Sequence, residues 1–114
     1  MGGPPLIKNL DDITAEDGAP VPAAEIPAAV TAGRLVYSDG ATQTFDADGT
    51  TRYTEGGRDT EGTWSVDDDG HFCSFWPPSY RASYDLRWMV EGGAPVGLRF
   101  SDLRGGGRFD GRYQ

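Results

Sequence analysis

The sequence is short of most residues from which functional sites are built. It holds one cysteine, Cys73, and one histidine, His71. A single thiol cannot form a disulfide within the chain, so nothing points to a secreted disulfide scaffold. One imidazole and one thiol also supply too few donors for a zinc site. Cations are scarce: ten Lys and Arg stand against 18 Asp and Glu, giving a formal net charge of -8. Nucleic acid and anionic lipid are bound by neutralising phosphates, so neither is an expected partner. No apolar run approaches the length of a membrane-spanning helix, and membrane insertion is not expected. The start, "MGGPPLIKNLDD", lacks an apolar signal core, so the chain as written reads as cytoplasmic, or as secreted or periplasmic if a leader was trimmed. No Gly-rich stretch follows a strand and opens a helix, which removes phosphate-loop readings, and no cofactor is expected.

What is present favours turns and strands. The 114 residues include Gly 17 and Pro 8, with hydrophobic content of 37%. Gly and Pro are the poorest helix formers, so long helices are disfavoured. The length suits one domain with one modest core. Residues 1–28 form an acidic, Pro/Ala-rich extension with weak core-forming power, expected to be partly disordered. Within it and just beyond, "PAAEIPAAVTAG" can make a short helix ending at Gly33, with Pro27 limiting it to a turn or two.

Residues 29–114 read as a β-meander. Candidate strands are 34–38, 41–46, 50–55, 62–67, 71–76, 83–90, 96–101 and 108–113. In "YDLRWMV", Tyr84, Leu86, Trp88 and Val90 alternate with Asp85, Arg87 and Met89. In "VGLRF", Val96, Leu98 and Phe100 alternate with Gly97 and Arg99. That period of two marks strands with one buried and one wet face. The connections ("SDG", "DADG", "EGGRD", "DDDG", "PPS", "EGGAP", "RGGG") are turn chemistry throughout. The fold class expected is therefore all-β, an antiparallel meander of about eight short strands. About eight strands also suffice to close a small barrel that holds side chains or one ligand.

Two acidic stretches, "FDADGTTRY" and "VDDDGHFCSF", raise the question of calcium. Aligned to an EF-hand loop, Asp46, Asp48 and Glu55 fall on ligand positions and Gly49 on the bend. A Thr stands at the first position, however, and no helices flank the stretch. In the second stretch Trp76 occupies the position of the closing Glu. Asp-Gly is also the strongest short hairpin signal, through a type I′ turn with positive φ at both centres. The stretches are read as hairpin tips, and no metal is expected.

His71 and Cys73 lie two apart and share a strand face, which suggests a Cys–His nucleophile pair. The strand rise places them nearly 7 Å apart, too far for direct proton transfer. The plainer expectation is a buried cysteine with the histidine at its rim. "HFCSFW" is apolar on both faces, Phe72 and Trp76 on one, Cys73 and Phe75 on the other. Leu6, Ile7, Ile26 and Val30 of the N-terminal segment are the expected cover for its second face. Trp64, Trp76 and Trp88 are candidates to line a barrel interior, as core or as a ligand box.

The run "DGTTRYTEGGRDTEGTWSVDDDGHFCSFW" resembles a pattern in small bacterial lipocalin-like (calycin-like) proteins of unknown function. Gly62, Thr63 and Trp64, then Gly70, Cys73 and Trp76, carry the resemblance. It implies a lipocalin-like barrel or half-barrel and no reaction. The function expected is that of a non-enzymatic binding module. Its ligand would be a small apolar molecule held by Trp64, Phe72, Trp76 and Trp88, or a protein partner across the Phe72/Trp76 face. The alternatives are a small enzyme using His71 with Cys73 or a carboxylate, and a protease inhibitor or envelope-associated structural protein.

Overall fold

A computed structural model describes residues 13–114. Eight antiparallel strands follow one another around a closed barrel. They are β1 (Leu35–Tyr37), β2 (Thr42–Phe45), β3 (Thr50–Glu55), β4 (Arg58–Val66), β5 (Phe72–Trp76), β6 (Tyr80–Glu91), β7 (Ala94–Asp102) and β8 (Arg108–Tyr113). Closure is made by β1 on β8, with Leu35 opposite Tyr113 and Tyr37 opposite Gly111. Each strand is where the alternation predicts it, but β4, β6 and β7 run further into their turns than "EGGRD" and "EGGAP" suggest. The reason is that Gly56 (φ 58°) and Gly57 (φ 80°) form a two-residue loop, with Glu55 paired to Arg58. Gly92 and Gly93 do the same between Glu91 and Ala94. Positive φ at both central residues gives the backbone twist that matches twisted strands.

The two Asp-Gly turns are built differently from the type I′ expectation. Among the described residues, only glycines have positive φ, so Asp48 and Asp69 stay in ordinary backbone regions. Gly49 N–H donates to Asp46 O and Asp46 N–H to Thr50 O. That is a longer loop with one left-handed glycine, Gly49 at φ 95°. Asp48 Oδ1 accepts from the Thr50 amide at 3.0 Å and Asp67 Oδ1 from the Asp69 amide at 2.9 Å. The aspartates thus serve the turn backbone itself.

Residues 17–21 are bonded to one edge of the barrel. β5 pairs with β6 only over Tyr80–Tyr84. Beyond that point the same edge of β6 is taken up by residues 18–21. Val21 N–H donates to Leu86 O, Trp88 N–H to Ala19 O and Gly18 N–H to Trp88 O, each at 2.9 Å. Asp17 Oδ1 accepts from the Val90 amide at 3.0 Å. An exposed row of β6 backbone groups is thereby satisfied. A 3-10 turn (Ala23–Glu25) then leads into helix α1 (Ile26–Thr31), with Pro27 in its first turn. Pro is tolerated there because the first helical amides have no partner within the helix.

Helix α1 plugs one end of the barrel. Ile26 and Val30 are 1% and 0% exposed, in one cluster with Leu35, Trp64, Trp88 and Leu98. Tyr113 donates its hydroxyl to Ala29 O at 2.5 Å, tying the last strand to the helix. Ile13 and Val21 join the same core, so the segment set apart by composition shares the core of the strands from residue 13 onward. The cover expected over Cys73 and Phe75 is a correction: Ile26 and Val30 fill the barrel end instead. Phe75 lies under the Arg81 guanidinium, 4.5 Å from the ring centroid. Leu6 and Ile7 fall outside the described residues.

Candidate functional site

The plug occupies the end that carries the β2–β3, β4–β5 and β6–β7 turns. The other end, bounded by the β1–β2, β3–β4, β5–β6 and β7–β8 turns, opens into a cavity of about 320 Å³. Its floor is aromatic. Phe72 and Phe100 meet edge to face at 5.3 Å between centroids, and Phe45 stacks beneath Phe100 at 6.4 Å. Trp64 stacks on Phe72 at 6.3 Å from the plugged side. These rings form the partition between the filled core and the open cavity. They meet inside the barrel because the strand period places Phe45, Phe72 and Phe100 on inward positions of β2, β5 and β7.

The walls carry Tyr37 from β1, Tyr53 from β3, Trp76 from β5 and Tyr84 from β6. Tyr84 packs edge on against Phe100 at 6.0 Å, and Tyr53 against Trp76 at 6.4 Å. The Trp76 ring fits because residue 62 on β4 is glycine: a Cβ there would stand 2.6 Å from that ring. Tyr80 and Phe109 form an apolar rim, 57% and 49% exposed.

Polar groups are few. Tyr37 donates its hydroxyl to Gln43 Oε1 at 2.6 Å, and Gln43 Nε2 donates to Thr51 Oγ1 at 2.9 Å. The Thr51 hydroxyl in turn donates to Thr44 O at 2.8 Å. This chain fixes Gln43, a buried polar residue, within the wall. Asp39 stands at the rim, its Oδ1 accepting from the Ala41 amide at 3.0 Å. It is the only charged residue in the lining, among the described residues. Burial pushes the Tyr37 phenol far above its ordinary value, and burial likewise raises Tyr53 and Tyr84. The Asp39 charge adds to the rise at Tyr37 and Tyr53. These phenols are therefore uncharged at ordinary pH.

Of the residues singled out in the sequence, Phe72 and Trp76 line the cavity. Trp64 and Trp88 do not. Trp88 is 1% exposed inside the plugged core, and Trp64 donates its indole N–H to Asp46 O at 2.9 Å. The three tryptophans therefore do not share one box. Nor do Phe72 and Trp76 offer an outer face to a protein partner, because they point inward and Phe72 is 2% exposed.

His71 and Cys73 lie outside the cavity, at the plugged end. Cys73 is half-buried and faces outward, its Sγ 3.6 Å from Asp67 Oδ2 and 3.4 Å from Ser83 Oγ. The expected core cysteine is thus a surface-facing one, because Phe72 and Ser74 take the inward positions of β5. The His71 ring reaches only Asp67, with Nδ1 3.8 Å from Oδ1. Asp67 Oδ1 is already engaged by the amides of Asp69 and His71. The His71 amide bond is the main cause that holds the Asp67 carboxyl below its ordinary value. Asp67, Asp69 and His71 bring ligand-type atoms within 4.8 Å of one another, a grouping the sequence reading did not single out.

The calcium alignment does not survive folding. Asp46 and Asp48 both accept from the Thr50 hydroxyl, at 2.9 and 2.8 Å. Glu55 lies at the far end of β3, about 17 Å away along a strand of this length. No ion can be held by all three.

Comparison with known protein families, with curated proteins and with solved structures finds no match to this chain. Among the described residues, no helix is long and apolar enough to cross a membrane.

Proposed function

We propose that the protein is a non-enzymatic binding module of lipocalin-like type, whose open barrel end takes one small, largely apolar molecule. The observation that carries this reading is the cavity of about 320 Å³, floored and walled by aromatic rings, with an exposed apolar rim. Ligand pockets are concave, mostly apolar and furnished with a few placed polar groups, and this volume is at the small end of their range. Tyr37, Gln43 and Asp39 are the placed polar groups. Phe72 and Trp76 are the ligand contacts anticipated from the sequence. Tyr53, Tyr84 and Phe100 are those it did not name, although Tyr84 and Phe100 sat on the inward face of the alternation.

The reading through His71 and Cys73 as an enzyme has less support. The thiol and imidazole are outside the cavity, and neither contacts the other's side chain.

The test is a thermal-shift screen of small aromatic compounds, followed by titration on tryptophan fluorescence. A binding compound raises Tm by mass action and quenches Trp76. Trp76→Ala weakens binding about tenfold or more, whereas Cys73→Ser leaves it unchanged. If no compound shifts Tm, or if Cys73→Ser abolishes binding, the reading fails.

A further inference from the structure

The composition of the cavity goes further than its size. Among the described residues, eight of the eleven that line it are aromatic, and none is Lys, Arg or His. Its one charge is the Asp39 carboxylate at the rim. The faces of aromatic rings carry negative electrostatic potential, which attracts a cation and repels an anion. The fixed polar groups point the same way. The Tyr37 hydroxyl spends its proton on Gln43 Oε1, so this phenol can meet a ligand only as an acceptor. Burial keeps the tyrosines from supplying charge of their own. Of the arginines near this end, Arg81 lies over Phe75 on the outer face, Arg52 pairs with Glu61 and Arg108 with Asp110, while Arg58 and Arg104 are exposed on the turns and do not line the cavity.

We propose that the cavity selects a small organic cation, an aromatic or alkyl ammonium, whose charged head sits among the rings within reach of the Asp39 carboxylate. This rests on the binding reading above and names its ligand class. A carboxylate ligand such as a fatty acid would bury its charge among ring faces and beside the Asp39 carboxylate, with no cationic side chain in the described lining to meet it, which carries a large desolvation cost. An ammonium loses its water to a surface of matching sign, and a quaternary head needs no hydrogen-bond donor or acceptor at all. The overall charge of -8 adds long-range attraction for the same class.

Three probes of matched shape test it: benzyltrimethylammonium, its neutral carbon isostere neopentylbenzene, and phenylacetate as the anion. Each is titrated into the full chain by calorimetry and tryptophan fluorescence. The cation is expected to bind about tenfold or more tighter than the neutral isostere, and the anion weakest. Asp39→Asn keeps the side-chain oxygen that holds the Ala41 amide, so the turn folds as before. It is expected to remove most of the cation's advantage and to leave the neutral probe unaffected. Asp48→Asn, at the opposite end, changes neither. If the neutral isostere binds as tightly as the cation, or the anion binds best, the cation proposal is overturned while the cavity reading stands. If none of the three binds, both fail. If the cation's advantage survives Asp39→Asn undiminished, the role of Asp39 is overturned and the selection belongs to the rings alone.

Discussion

At the scale of single residues, the cavity depends on one missing side chain. Gly62 lies on an inward position of β4, and a Cβ there would meet Phe75 O at 2.5 Å as well as the Trp76 ring. A backbone carbonyl cannot move aside as a flexible side chain can. Gly62→Ala is therefore expected to cost about 1–3 kcal/mol through overpacking, and to displace Trp76. Urea unfolding measures the first and the tryptophan emission spectrum the second. An unchanged midpoint would show that β4 and β5 adjust freely here. Gly62 was legible in the sequence as part of a "GTW" stretch, but its partner was not. Which ring crosses a glycine is set by strand register, here Thr63 opposite Phe75 and Trp64 opposite Ser74.

At the scale of elements, the two ends of the barrel have different work. α1 inserts Ile26 and Val30 into the plugged end, while the β5–β6 and β7–β8 turns leave Tyr80 and Phe109 exposed at the mouth. Ile26→Ala should destabilise by about 2–4 kcal/mol, since buried space is left empty. Tyr80→Ala should change stability by about 0.5 kcal/mol or less, since an exposed side chain gives up little burial. Chemical denaturation of the two variants side by side checks the contrast. β3 supplies a second expectation. Because it separates Glu55 from Asp46 and Asp48, calcium or a chelator should leave Tm unchanged. A rise of several degrees with calcium would mean that another arrangement of carboxylates binds it. The hairpins themselves were readable, because alternation and Asp-Gly or Gly-Gly turns are local signals. The docking of a Pro/Ala-rich segment along β6, and its use as a plug, were not. Ala19, Pro20 and Val21 carry no strand pattern of their own. They reach β6 only because β5 pairs with it no further than Tyr84.

At the scale of the whole molecule, acid is the expected point of weakness. Asp67 is held below its ordinary value mainly by the His71 amide, Asp48 by the Thr50 hydroxyl, and Glu91 by Arg112. For each, the folded state binds its proton less readily than the unfolded chain. Their contribution is therefore complete above the ordinary carboxylate range, and is lost as pH falls through the lowered folded-state values. Stability should be flat from about pH 7 to about pH 5 and begin to decline, modestly for such exposed groups, below about pH 4. The double variant Asp48→Asn, Asp67→Asn should flatten that fall. A Tm series across pH for both proteins checks it, and equal slopes would assign the acid sensitivity to other carboxylates.

The sequence by itself determined the class of fold. Period-two alternation fixes which side chains of a strand share a face, and glycine-rich turns fix where strands reverse, both over a few residues. It also determined that Phe72 and Trp76 share a face, and that anions outnumber cations over the chain as a whole. Only the tertiary structure decided that the sheet closes, that helix α1 fills one end and leaves the other open, and that Trp64 and Trp88 fall on the filled side. These outcomes depend on register between strands far apart in the chain, such as Leu35 against Tyr113. They depend also on the N-terminal segment placing Ile26 and Val30 in the core at one barrel end. Alternation says that a side chain points inward; closure and plugging decide whether inward means core or cavity.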